Sequence, residues 1–172
     1  KYDATSHWYA CANPGCTETS GTQAHTGGTA TYFNKAVCDI CHQAYGALLT
    51  DSTPPTGEIT IGTNKFNQFL NTITFGLFFN ESQTVEITAE DDSYTHAGYT
   101  QDDAVTVAYY LHTGDHALTL DELEDVTFTP YSETFSISPD QSYVVYAKFT
   151  DHAGNVTYVN SNGIVLDATA PA

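Results

Sequence analysis

The chain has 172 residues, with four lysines, no arginine and 21 acidic residues, for a formal net charge of −17. A surface this negative repels a phosphate backbone and lacks the guanidinium forks that grip one, so nucleic acid is not expected as a partner. Anionic membrane surfaces are disfavoured on the same ground, and no apolar run reaches the roughly 20 residues of a membrane span, so membrane insertion is not expected either.

Charge and cysteine are unevenly distributed. Cys11, Cys16, Cys38 and Cys41 all fall in the first fifty residues, where Lys1 and Lys35 stand against Asp3, Glu18 and Asp39; beyond residue 50, Lys65 and Lys148 stand against 18 acids. Two domains are expected, a cysteine module over 1–50 and a strongly acidic module over 51–172. Threonine, tyrosine and asparagine are abundant and methionine is absent, a composition that suits extracellular all-β modules. A start at Lys1 and an end inside Asp167-Ala-Thr-Ala-Pro suggest a fragment cut from a longer chain.

The first fifty residues hold little to build a core from: Trp8, Tyr9, Tyr32, Phe33, Val37, Ile40, Tyr45, Leu48 and Leu49 are nearly the whole supply. A piece this small usually needs a metal or disulfides. The cysteines read C-x4-C, 21 intervening residues, then C-x2-C, close to the spacing at which two short loops each offer two thiolates to one tetrahedral zinc ion. Such a site, with Cys11, Cys16, Cys38 and Cys41 as ligands, is closed and therefore structural. The alternative is a pair of disulfides, which oxidising surroundings favour. His25 lies between the pairs and can replace one cysteine or stand behind the ligands, and His42 follows the last cysteine directly. Trp8 and Tyr9 form either a cover over the metal knuckle or a platform for stacking on sugar rings.

Asp51-Ser-Thr-Pro-Pro returns 116 residues later as Asp167-Ala-Thr-Ala-Pro, which reads as linkers flanking one repeat of an array. Between them alternation and turn signals predict strands over 57–62, 72–79, 84–90, 104–112, 133–138, 143–151 and 155–160, with 163–167 as a closing edge segment. Two short helices are expected, over 64–70 behind an Asn cap and over 119–124. In the strand after Asp140, Tyr143, Val145, Ala147 and Phe149 form the better core face. Asp140 to Tyr143 is similar to a tyrosine corner, in which a Tyr hydroxyl ties a crossing loop to the sheet.

Three further groupings bear on chemistry. Glu90, Asp91, Asp92, Asp102 and Asp103 flank a predicted loop and could hold calcium, although acidic loops are most often only solvated. His112-Thr-Gly-Asp-His116 reads as a surface turn. Lys148 and Asn160 in neighbouring strands raise an intramolecular isopeptide crosslink, which the outward register of Lys148 argues against. Of catalytic motifs there is no nucleophile elbow, phosphate-cradling glycine loop or His-Glu-x-x-His, so no enzyme is expected.

The run YVVYAKFTDHAGNVTYVNSNGIVLDATAP over 143–171, with FLNTITFGLFFNESQTVEITAED over 69–91, closely resembles immunoglobulin-like repeats of large bacterial surface proteins from gut Firmicutes. The first fifty residues, from His7-Trp8-Tyr9-Ala-Cys11 through Cys38-Asp-Ile-Cys41 to Tyr45-Gly46, resemble a small zinc-ribbon-like cysteine module of the same proteins. Many relatives of that module carry Gly where this chain has His42. The resemblance implies a mainly β chain, a zinc-ribbon-like module followed by an Ig-like β-sandwich with short helical insertions. It implies a non-catalytic extracellular spacer or adhesion fragment, cell wall-associated or secreted, whose partners are neighbouring domains of the same polypeptide. The alternative is a glycan-binding (mucin-binding) accessory module of a carbohydrate-active enzyme, with Trp8 and Tyr9 as the sugar platform.

Overall fold

The computed structural model describes residues 1–31, 34–91, 105–114 and 116–169. The chain divides into two units, Lys1–Asp51 and Ser52–Ala172, and among the described residues strands make up nearly all the regular structure of both.

In the first unit, β1 (Ser6–Ala10) and β2 (Thr19–Ala24) form an antiparallel ribbon. The reversal between them is local chemistry. Asn13-Pro14-Gly15 supplies a turn, Gly15 takes a φ of +83°, and the Cys16 N–H donates to the Asn13 carbonyl at 3.1 Å. A second, shorter hairpin pairs β3 (Ala36–Val37) with β4 (Ala44–Tyr45). These strands bury little: all six residues of β2 are exposed. Among the described residues of this unit, the buried side chains are His7, His25, Cys38 and Asp51. Its interior is therefore made of ligand-type groups where a larger domain would have aliphatics.

The second unit consists of two sheets. One runs β11 (Phe135–Ile137), β8 (Gln83–Glu90), β5 (Thr56–Ile61), β6 (Asn64–Phe66); the other runs β10 (Thr129–Pro130), β9 (Val105–Thr113), β12 (Gln141–Asp151), β14 (Gly163–Leu166), β7 (Phe75–Phe79), with β13 (Val156–Asn160) also on β12. Ile59, Ile61, Val85 and Ile87 of the first sheet and Val145, Ala147, Phe149 and Val159 of the second are buried. The ring of Phe149 presses on the backbone of β5 so closely that a Cβ on Gly57 would fall 2.3 Å from it, so the two sheets meet face to face at a position only glycine can occupy.

β12 is the centre of the larger sheet, and both of its faces are covered. Beside the expected inner set, Val144 and Tyr146 are also fully buried, packed with Leu123 and, at the margin, Phe69, Ile73 and Phe128. Leu123 belongs to the helix α1 (Leu120–Glu124), begun by a reciprocal cap in which the Glu122 N–H donates to the Thr119 hydroxyl and the Thr119 N–H to the Glu122 carboxylate. The Leu118 N–H donates to the Tyr146 hydroxyl at 2.6 Å, and burial raises the pKa of that hydroxyl. Alternation along 143–151 identified one buried face; helix α1 and the 69–75 segment bury the other.

The helix expected over 64–70 is absent. Gly62, at φ +59°, turns the chain back so that Asn64, Lys65 and Phe66 pair with Ile61, Thr60 and Ile59. The Asn64 side chain donates to the Ile61 carbonyl instead of capping a helix, and Lys65 forms a 2.6 Å ion pair with Glu58. A helical apolar spacing over seven residues is outweighed here by a glycine turn beside a ready partner strand.

Gly163–Leu166 is likewise not an edge. β14 lies between β12 and β7 and pairs with β7 in parallel. β13 and β14 run in line along one side of β12, and four positions from Asn160 to Ile164 answer three from Tyr146 to Tyr143. Ser161 absorbs the extra residue: its N–H donates to the Val145 carbonyl at 2.9 Å, and its hydroxyl accepts the Val145 N–H at 3.0 Å. Next to it, the buried Asn160 accepts the Leu70 N–H at 2.6 Å and donates to the Leu70 carbonyl at 3.2 Å. Lys148 lies opposite Tyr158, not Asn160, with its Nζ 5.9 and 5.8 Å from the ring centres of Phe128 and Tyr158, so no isopeptide pair is assembled. The Tyr143 hydroxyl donates to the Ser138 carbonyl at 3.1 Å, five positions back, and Asp151 closes the β12–β13 turn by accepting the Asn155 N–H and side-chain amide at 2.8 Å each.

Candidate metal centre

His7, His25, Cys38 and Cys41 come together in the first unit, each offering one donor atom, with all four donors within 4.8 Å of one another. His7 is the inward residue of β1, and His25 follows the last residue of β2, so the ribbon supplies one nitrogen from each strand. Cys38 and Cys41 sit in the turn between β3 and β4. That turn is held by the Cys38 N–H donating to the Gln43 carbonyl and the His42 N–H to the Cys38 carbonyl, both at 2.9 Å.

The donor spacing fits one tetrahedral ion. His7 Nδ1 lies 3.6 Å from Cys38 Sγ and His25 Nδ1 lies 3.4 Å from Cys41 Sγ. A zinc tetrahedron built with ordinary Zn–S and Zn–N bonds has an S···N edge of about 3.5 Å. The set can therefore hold a metal ion, and its two nitrogens and two sulfurs are donors that zinc accepts.

Groups behind the donors fix their orientation. The Asp3 carbonyl lies 3.0 Å from His25 Nε2; a carbonyl can only accept, so Nε2 carries the hydrogen and Nδ1 is left facing the sulfurs. Asp3 is itself pinned, its carboxylate accepting the Thr5 and Ser6 N–H groups at 2.8 and 2.7 Å, and those two backbone bonds hold its pKa low. The Tyr45 ring centre lies 5.1 Å from that of His25, and its hydroxyl donates to the Gly27 carbonyl at 2.6 Å. Gly27 and Gly28, at φ +80° and +64°, bring this segment against the turn so tightly that a Cβ on Gly28 would fall 2.4 Å from the Val37 carbonyl oxygen.

The electrostatics favour a metal-ready sulfur. Burial works against a thiolate at Cys38, but the N–H groups of Cys41 and Thr26, the His25 ring and the Ile40 N–H outweigh it and lower the thiol to about 5. A thiol already deprotonated at neutral pH releases fewer protons when a metal binds. The hydrogen bond to the Asp3 carbonyl, followed by the contact with Cys38, raises His25.

Cys11 and Cys16 are joined to each other as a disulfide, with their Cα atoms 5.8 Å apart, and stand outside the gathered set. Cys38 and Cys41 are free thiols. His42 is exposed at a φ of +59°, the left-handed region that a non-glycine residue enters at a cost of about 1 kcal/mol. His42→Gly is accordingly expected to raise the stability of the metal-loaded first unit by about 1 kcal/mol, read from its thermal unfolding. No gain would mean that the imidazole makes a contact worth as much as the strain.

Tyr9 is 72% exposed, its ring lying over Gly21; Trp8 is half-buried. Of the acids considered for calcium, Glu90 ends β8 and is exposed and Asp91 is buried; Asp92, Asp102 and Asp103 lie outside the described residues. The His112 and His116 rings are 5.2 Å apart, and Asp115 between them also lies outside the described residues. His7 is the donor of this candidate set that reading by cysteine spacing missed. Comparison with protein-family models, curated proteins and solved structures finds no match to this chain.

Proposed function

We propose that the chain is a non-catalytic extracellular spacer or adhesion fragment of a large bacterial surface or secreted protein, in which a zinc-stapled, zinc-ribbon-like module precedes an Ig-like β-sandwich. The observation that carries this reading is the closed set His7, His25, Cys38 and Cys41. Four protein donors fill a tetrahedral ion and leave no position for a substrate, which is the signature of a structural metal. Three of these residues, His7, His25 and Cys38, are among the four that are buried in the described part of the first unit, so the ion stands in for a core. In the second unit the Tyr143 tie to Ser138 and the two facing sheets support an Ig-like arrangement.

Protein purified without added metal is expected to carry close to one equivalent of zinc, and a strong chelator is expected to unfold residues 1–51 while residues 52–172 keep their strands. Less than about half an equivalent, with the first unit folded regardless, removes the zinc reading. The exposed ring of Tyr9 favours a second reading, a glycan-binding module. An array of mucin glycans separates the two: binding abolished by Tyr9→Ala with the fold intact supports the second, and no binding to any glycan leaves the spacer.

A further inference from the structure

We propose that the centre is a redox-releasable clasp, in which two-electron oxidation joins Cys38 to Cys41 and sets the metal free. The proposal rests on the metal reading above and adds its regulation. Cys38 and Cys41 are both free, sit in one turn, and have their sulfurs within the 4.8 Å span of the donor set. They differ in access: Cys38 is wholly buried, whereas Cys41 is partly exposed. An oxidant arriving from solvent meets Cys41 first, and Cys38 is the neighbour that resolves the product. The same unit already carries one disulfide within a short turn, Cys11 to Cys16.

With hydrogen peroxide as the oxidant the step balances. The Cys41 thiolate attacks one peroxide oxygen, the O–O bond breaks, and a sulfenic acid and a hydroxide result. The Cys38 thiolate then attacks the Cys41 sulfur, the S–S bond forms, and a second hydroxide leaves. Two protons from solvent turn the hydroxides into water. Both sulfurs are oxidised, the peroxide is reduced, and the metal departs as a dication that has lost its two anionic ligands.

The exchange is not neutral for the fold, because the two linkages span different lengths of chain. The metal ties Cys38 to His7 across 31 positions and Cys41 to His25 across 16. The disulfide that replaces it spans a single turn and holds neither histidine. A crosslink restrains the unfolded chain more the longer the loop it closes, as the logarithm of that length. Oxidation therefore trades a brace across both hairpins for a local staple, and the first unit loosens.

The full chain, loaded with one equivalent of zinc, is treated with excess hydrogen peroxide while free zinc is followed with a chromogenic chelator. Expected are release of all the zinc, Asp-N peptides joined through Cys38 and Cys41, and cleavage within residues 1–51 by an added protease at least about tenfold faster, with residues 52–172 unaffected. A thiol reductant is expected to restore zinc uptake. Zinc loss with Cys41 carried to sulfinic acid and no link to Cys38 overturns the proposal, as does a link that forms while zinc stays bound. If untreated protein takes up no zinc, the metal reading fails by itself; the same peptide map on the zinc-free chain still shows whether Cys38 and Cys41 pair, and a failure to pair there overturns the oxidation step. In Cys38→Ser the Cys41 sulfenic acid is expected to persist and to be trapped by dimedone.

Discussion

His7→Ala is expected to weaken zinc binding by the first unit by more than about 100-fold, as measured by competition with a chelator of known affinity. A structural zinc site is worth roughly 10–16 kcal/mol over four ligands, so each ligand carries about 3 kcal/mol or more. His7 is the only one of the four supplied from within β1, and its removal also releases that strand from the turn holding Cys38. The informative contrast is the double variant Cys11→Ser with Cys16→Ser. These residues are joined to each other outside the set, and their loss removes only the stapling of a short loop, about 2 kcal/mol. In the cobalt-substituted protein their replacement is expected to leave the thiolate charge-transfer band unchanged, whereas Cys38→Ser reduces it. A band that falls in the Cys11 and Cys16 double variant would return the centre to four cysteines.

Asn160→Ala is expected to destabilise the second unit by about 3 kcal/mol and lower its melting temperature by roughly 10 °C. The Asn160 amide makes both hydrogen bonds to the backbone of Leu70, at 2.6 and 3.2 Å, and it is fully buried. Truncation leaves the partly buried N–H and carbonyl of Leu70 without these partners, and an unsatisfied group costs about 1–3 kcal/mol. Amide exchange at Leu70 offers a local check, since its protection is expected to fall further than that of Val145 in β12. A loss below about 0.5 kcal/mol would mean that the 68–70 segment re-pairs by itself.

Much of the second unit can be read from the residues. Strands with clean alternation and flanking turns, such as Thr56–Ile61, Gln83–Glu90 and Gln141–Asp151, lie within one or two positions of where the pattern predicts them, because period-two burial leaves a direct trace in residue type. The capped turn at Thr119 is equally local. What alternation cannot convey is partnership. The parallel pairing of β14 with β7, and its place inside the sheet, depend on residues some 90 positions apart, and the hairpin at 64–66 depends on Gly62 and an available neighbour more than on its own apolar spacing.

The candidate metal centre divides in the same way. Cys38 and Cys41 are legible because a C-x2-C turn carries its geometry in its spacing. His7 leaves no such trace, since its approach to Cys38 requires the ribbon and the second hairpin to meet. A signal was nevertheless present. Asn13-Pro14-Gly15 between Cys11 and Cys16 is a reversal tight enough to bring those two sulfurs together, which left two donor positions of the candidate set to be filled by the histidines that antiparallel pairing gathers at the open end of the ribbon.

The edges of the two sheets bear on behaviour at high concentration. Among the described strands of the second unit, five have a partner on one side only, and three of these are minimal: β10 has two residues and includes Pro130, while β6 and β11 have three each, with Lys65 on β6. Such edges give another molecule little to add a strand to. β7 and β13 are the exceptions at five residues each, and β7 carries Phe78 at 71% exposure. Colloidal repulsion from a net charge of −17 acts over the whole molecule and is screened beyond roughly 8 Å at physiological salt. As salt rises and that repulsion shortens its reach, β7, with its exposed Phe78, is the described edge of this unit where strand addition is most favoured.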